Sequence, residues 1–237
     1  MLIMSSASWS EPIILNAVGD PWPVLLDPDA KHQGLVVEVV REAYLTQGYD
    51  LIINFVPWSR AMKMIQQKRA DLLIGAWYSD ERNNYLRYSN PVFSSSVQII
   101  KHKNSNFEYF DLSSLEGKRV GTILSYHYGQ AFLNESSIER INSDSLLDNL
   151  NNLVAGRIDL TLDDKYVLKY TLDKHFTDWK SKLSLVKNSF TDKEIFIAVN
   201  RTTPESKALI QAFNLGLAQL KKEGRYQQII NSYRLED

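Results

Sequence analysis

The sequence predicts an α/β fold. Short, β-rich apolar runs alternate with stretches whose apolar residues recur at helical spacing, and Gly and Pro punctuate the joints between them. The chain has 237 residues, 44% of them apolar, enough for one large core or two modest ones. A net charge of −1 favours neither nucleic acid nor an anionic membrane as partner. With no cysteine, thiol catalysis, disulfides and Cys-ligated metals are excluded, which fits an exported bacterial protein. No apolar run approaches the length of a membrane span, and no repeat or low-complexity tract interrupts the chain. Residues 1–10, MLIMSSASWS, are apolar and then small and polar, without a positive n-region. They read as the remnant of a signal peptide or as a disordered leader.

Ile13 to Val18 is the first strand, broken by Gly19-Asp20-Pro21-Trp22-Pro23. Two prolines around a Trp fix an extended loop at the strand's carboxyl end, where ligands of open α/β sheets sit. Trp22 either walls such a site or caps the edge of the core. Gly34 to Gly48 reads as a helix with Leu35, Val36, Val39, Val40, Ala43 and Tyr44 on one face. Leu51 to Val56 is the next strand, and Pro57-Trp58-Ser59-Arg60 opens the next helix, with Arg60 either solvated at the helix N-terminus, the favoured reading, or pointing into a cleft. Farther on, Val97 to Lys103 and Arg119 to Leu124 read as strands. Ser125-Tyr126-His127-Tyr128-Gly129 then turns into a helix whose first N–H groups would form an anion site. Asp144 to Gly156 is a helix capped by Ser143 or Asp144. Glu194 to Asn200 is a strand, and Pro204 to Lys222 and Gly224 to Tyr233 are the closing helices.

Asp71 to Pro91, DLLIGAWYSDERNNYLRYSNP, organises the rest. Leu72-Leu73-Ile74 suits a buried parallel strand, Gly75 lets the backbone turn, and Ser79-Asp80-Glu81 starts a short helix. Arg82 lies in its first turn, where the helix dipole disfavours a cation. Two explanations stand: an external anion, or a surface pairing with Asp80 or Glu81.

These elements resemble bacterial solute-binding protein family 3, the periplasmic amino-acid receptors of ABC transporters. In that family a strand beginning with Asp meets a Gly, then Thr/Ser-x-x-Arg, then Phe/Tyr-Ser-x-Pro. Here these stand as Asp71, Gly75, Ser79 to Arg82 and Tyr88 to Pro91. Asp111 to Gly121 resembles the entry to the family's second lobe, Ala155 to Asp164 its "aGrvDaxxxD" run, and residues 204–233 its closing helices. The resemblance spans Ile13 to Leu235 and implies a two-lobed, type II Venus-flytrap fold with two crossover strands. Residues 11–99 and 197–237 would form lobe one and residues 100–196 lobe two.

The resemblance also implies a site. Arg82 would hold a ligand carboxylate and Asp164 its ammonium, although Asp163 or Asp164 could instead cap the following helix. Asp20 and Trp22 match the family's ligand-covering loop, and Trp58 a ligand-contacting position. Trp77 replaces the usual Ser/Thr beyond Gly75, and Tyr126 and His127 replace the usual Thr pair. Three tryptophans suit an apolar, aromatic or cationic group. The implied protein is periplasmic and monomeric, not an enzyme, and needs no cofactor or metal. It would bind an amino acid or related amine/carboxylate solute for an ABC permease. A ligand-sensing receptor domain is the alternative, and a dehydratase-like enzyme on the same fold a more distant one; no Gly-x-Ser-x-Gly or His-Glu-x-x-His motif favours the latter.

Overall fold

Alternating strands and amphipathic helices produce two parallel-stranded halves joined through antiparallel strands. The computed structural model describes residues 11–233 and 235; the expected signal remnant at 1–10 lies outside them. β1 (Ile13–Gly19), α1 (Leu35–Leu45), β2 (Tyr49–Phe55), α2 (Trp58–Gln66) and β3 (Leu72–Trp77) build the first half. α3 (Asp80–Asn83), β4 (Leu86–Tyr88) and β5 (Phe93–His102) lead out of it. β6 (Arg119–Ile123), α4 (Gln130–Asn134), β7 (Glu139–Ser143), α5 (Leu146–Val154), β8 (Leu160–Asp164), α6 (Lys165–His175) and β9 (Leu183–Leu185) build the second. β10 (Thr191–Asn200), α7 (Ser206–Lys222) and α8 (Arg225–Ser232) return to the first.

The strands are ordered β2-β1-β3-β10-β5-β8-β6-β7, with β4 on β10 and β9 on β5. β1 pairs in parallel with β2 and β3, as β6 does with β7 and β8. Among the described residues, only β5 and β10 serve both halves. They pair with each other over Phe93–Val97 and Thr191–Ile195, then diverge. Beyond that stretch β10 continues against β3 and β4, and β5 against β8 and β9. This mixed, two-lobed sheet is the type II architecture expected from the sequence.

Apolar side chains on α1 and α7 seal the first half: Val36, Val40, Tyr44, Phe213 and Leu217 are almost wholly buried. The helices meet closely at Gly216, where an added Cβ would lie 2.0 Å from the Ala43 carbonyl oxygen. Tyr44 donates its hydroxyl to the Leu209 carbonyl at 3.1 Å, tying the two helices together. Arg225 pairs with Glu42, and Tyr233 donates to Glu38 at 2.7 Å, fastening α8 to α1.

Several boundaries differ from expectation for local reasons. β5 starts at Phe93, four residues early, because Phe93 already pairs with Ile195. Gly75 does not end β3. Ile74 pairs with Ile197 and Ala76 with Phe196, so Gly75, at φ 84°, is the extra residue of a bulge. The cap of α5 is Ser145, which accepts from the Asp148 N–H at 3.2 Å, rather than Ser143 or Asp144.

Gly216→Ala should destabilise the protein, because the clash is with backbone and can be relieved only by moving α7 off α1. Overpacking of this kind costs roughly 1–3 kcal/mol, and each ~1 kcal/mol lowers Tm by about 2–4 °C at this size. Thermal unfolding followed by circular dichroism checks it.

Candidate functional site

The bulge at Gly75, the loop after β1 and the start of α2 bring three tryptophans to the seam between the halves. Trp22 sits in a tight turn closed by its own N–H to the Leu26 carbonyl, 2.7 Å, and the returning Leu26 N–H to Trp22, 2.6 Å. Trp58 is the first residue of α2, directly after Pro57, and Trp77 ends β3 beyond the bulge. Bulges commonly re-aim the side chains that follow them.

A small cavity lies between these rings. Its lining includes Asp20, Trp22, Trp58, Gly75, Trp77, Arg82, Tyr126 and His127, eight of the nine residues expected from the sequence. The Trp77 ring lies edge-on to Trp22 at 5.4 Å and to Tyr126 at 5.6 Å, and Trp58 edge-on to Tyr126 at 6.1 Å. Such edge-to-face packing adds to the effect of burial alone. Arg60 is exposed and does not line the cavity.

The one-turn helix α3 holds Arg82. Ser79 caps it, its hydroxyl accepting from the Arg82 N–H at 3.4 Å. Arg82 is 9% exposed as a residue; its guanidinium carbon lies 5.5 Å from the Trp58 ring centre, and its Nη2 donates to the Ser125 carbonyl at 2.7 Å. Among the described residues no carboxylate forms an ion pair with it. Surface pairing with Asp80 or Glu81 is therefore not its role.

In the turn after β6 the Tyr126 N–H bonds back to the Ile123 carbonyl at 3.1 Å. Ser125 adopts φ 65°, and its carbonyl accepts from both Arg82 and Trp58 Nε1, the latter at 3.0 Å. The helix that follows, α4, is only five residues long and offers little dipole. His127 lines the cavity; burial first, then the positive charges of Arg82 and Lys193, lower its pKa.

Asp164 is the ninth expected residue, and it lies outside this cavity. Its Oδ1 accepts from the Tyr166 N–H at 2.9 Å and caps α6, the helix-capping alternative raised by the sequence. Asp163 faces the seam instead. Its Oδ1 accepts from Trp22 Nε1 at 3.1 Å, across to the first half, and from the Asp164 N–H at 2.7 Å. Nearby, Tyr126 donates its hydroxyl to Asp20 at 2.8 Å. Sequence reasoning assigned the ligand-facing role to Asp164 rather than Asp163 and did not single out Ser125. The adjacent pair Asp163-Asp164 signals that one side chain faces each way, but not which.

Burial dominates the electrostatics. It pushes Asp20 up to about 6 against the pull of the Tyr126 hydroxyl, Asp163 to about 7 despite the Asp164 and Trp22 N–H groups, and Asp164 to about 6. Among the described residues no group of three or more His, Cys, Asp or Glu is disposed to hold a metal ion. What the arrangement offers is a guanidinium for an anion, ring faces for apolar or cationic groups, and carboxylates for donors.

Two α/β lobes joined by paired crossover strands, with an aromatic, charge-bearing cavity at their seam, define a two-lobed binding protein. The chain belongs to the bacterial extracellular solute-binding proteins, family 3, whose pattern matches residues 15–236. It is 25% identical to the ABC transporter arginine-binding protein 1 of Escherichia coli over 169 residues. That match covers 68% of this chain and 65% of the relative, so it spans just under two thirds of the relative's length. Over 226 residues, 88% of this chain and 82% of the relative, it is 25% identical to the L-arginine-binding protein of Pseudomonas aeruginosa. A solved ancestral arginine-binding protein bound to arginine shares the fold, with a TM-score of 0.80 at 19% identity over 94% of this chain and 99% of that one. Members of the family are extracytoplasmic binding proteins.

The three raised carboxylates fix a pH response. Each holds its proton more tightly folded than at the unfolded value of 3.8, so the folded chain carries more protons from about pH 4 to about pH 7. This contribution to stability falls as pH rises through that window. Asp163→Asn keeps an oxygen for the Trp22 and Asp164 N–H groups and removes the largest of the three effects. At pH 8 it should melt above the wild type by at least roughly 2–4 °C, the equivalent of about 1 kcal/mol, and its Tm should vary less between pH 5 and 8.

Proposed function

We propose that this protein is periplasmic, captures an amino acid or related small amine/carboxylate solute between its lobes, and delivers it to an ABC permease. The observation that carries the proposal is Arg82, a buried residue at the lobe seam whose guanidinium donates to a neutral carbonyl, that of Ser125. A ligand carboxylate would take two parallel hydrogen bonds from it and neutralise the charge. The names of the relatives, arginine-binding proteins of transporters, support an amino-acid ligand. The rings of Trp22, Trp58, Trp77 and Tyr126 favour a ligand with an apolar, aromatic or cationic side chain.

Residues 11–99 with 197–237 would move as one lobe and residues 100–196 as the other, hinged on the paired segment of β5 and β10. A ligand touching both lobes favours the closed arrangement by its differential affinity for it. Closure excludes water and strengthens each polar contact. On this proposal the protein works as a monomer and carries out no catalysis.

Arg82→Ala should lower affinity for the best ligand of an amino-acid panel at least about 100-fold, roughly 2.7 kcal/mol, while leaving the far-UV spectrum and cooperative melting intact. Thermal shift selects the ligand and titration calorimetry measures the loss. Equal affinity in wild type and variant would refute the proposed role of Arg82.

A further inference from the structure

The cavity among the tryptophans admits the centres of water-sized molecules to only about 20 Å³, room for little more than one water. On the same measure a second space between the halves holds about 460 Å³, within the usual size of a small-molecule site, roughly 300–1,000 Å³. Arg82, Tyr126 and His127 line both, so Arg82 stands between a nearly filled pocket and an open one. Met62, Gln66 and Tyr85 of the first half line the larger space together with Thr122, Arg140 and Asn142 of the second.

The second-half wall presents donors. Arg140, on β7, donates through Nη1 to the Phe132 and Glu135 carbonyls at 3.0 and 2.8 Å, and its guanidinium carbon lies 5.8 Å from the Phe132 ring centre. These contacts hold the group in place through one nitrogen of three. Among the described residues no carboxylate forms an ion pair with it. The Glu135 carboxylate accepts instead from the Ser137 N–H and hydroxyl, at 3.1 and 2.8 Å. Asn142, two residues on and therefore on the same face of β7, accepts from the Thr122 hydroxyl at 2.8 Å through Oδ1, which leaves its amide NH2 as a further donor. Asp20, Asp163 and Asp164 do not line this space; Glu81, exposed on α3, is the one acidic residue among its lining.

We infer that the larger space takes the far end of an elongated ligand whose carboxylate sits on Arg82, and that Arg140 and Asn142 hold a second anionic group there. The inference rests on the role of Arg82 proposed above and adds the other end of the ligand. Three observations lead to it. The first is room: the remaining atoms of a ligand held by Arg82 do not fit among the tryptophans but do fit on the other side. The second is charge, since two guanidinium cations against one exposed carboxylate make the lining positive. The third is length. Thr122 and Asn142 are in register across β6 and β7, and Ser125, which accepts from Arg82, lies three residues beyond Thr122. At about 3.3 Å per residue the two ends of the space are roughly 10 Å apart, more than glutamate spans and suited to a long amino dicarboxylate.

The test is calorimetry with L-glutamate, L-2-aminoadipate, L-2-aminopimelate and L-2-aminosuberate, each against its ω-amide, which keeps the size and removes the charge. The best of the longer acids should bind the wild type at least about 10-fold more tightly than its amide, and more tightly than L-glutamate. Arg140→Gln should bring that acid/amide ratio close to one. Arg157→Gln removes one positive charge from the same half at an exposed position outside the cavity, and should leave the ratio as in the wild type. Equal binding of acids and amides by the wild type overturns the inference, whether or not Arg140→Gln folds, and so does tightest binding of L-glutamate. A ratio unchanged in Arg140→Gln, or equally lowered in Arg157→Gln, also overturns it. Binding of other amino acids alone, lost in Arg82→Ala, overturns it and leaves the proposed function standing. No binding of any probe or panel amino acid overturns both.

Discussion

Arg82 sets a permanent positive charge, nine-tenths buried, against a carbonyl from the other lobe. Guanidinium does not deprotonate in proteins, so the charge must be compensated where it sits. The Ser125 carbonyl and the Trp58 ring at 5.5 Å do part of this. The backbone that carries Arg82 belongs to the first half: the Ser79 cap and the single turn of α3, which follows β3. Its hydrogen-bonded oxygen comes from the second. The geometry of the seam is therefore set by a charge that one lobe supplies and both must solvate.

Much of this was legible in the sequence, and the exceptions are instructive. The apolar faces of α1 and α7 and the run Leu72-Leu73-Ile74 specify their elements because period and burial agree. β4, β7 and β9, of three to five residues, carry too little pattern to be read. β7 lacks a fully buried residue, as suits a strand at the end of the sheet order. Gly75 was legible as special but not as a bulge, since a bulge is a property of the pairing with β10. Arg82 and the aromatic residues were found from motif and spacing. The choice between Asp163 and Asp164 was not, because strand alternation assigns opposite faces without saying which face meets the partner lobe. Ser125 was missed for a different reason: a left-handed serine turns a carbonyl, not an N–H, toward the cleft.

The groups that join the lobes across the cavity are also those best suited to hold a ligand. Trp22 to Asp163, Tyr126 to Asp20, and Arg82 and Trp58 to Ser125 are four hydrogen bonds linking the two halves. A ligand that uses Arg82 must compete with the Ser125 carbonyl, and one that uses Asp163 must compete with an indole. Binding would then be an exchange of hydrogen bonds, and its free energy a difference between two satisfied states. Charge decides such an exchange. Replacing a neutral carbonyl by a carboxylate at Arg82 turns a hydrogen bond with one charged partner into a bidentate ion pair with two. A neutral ligand gains no such advantage over the bonds it displaces. On physical grounds alone, a seam that satisfies itself with neutral partners discriminates in favour of charged solutes.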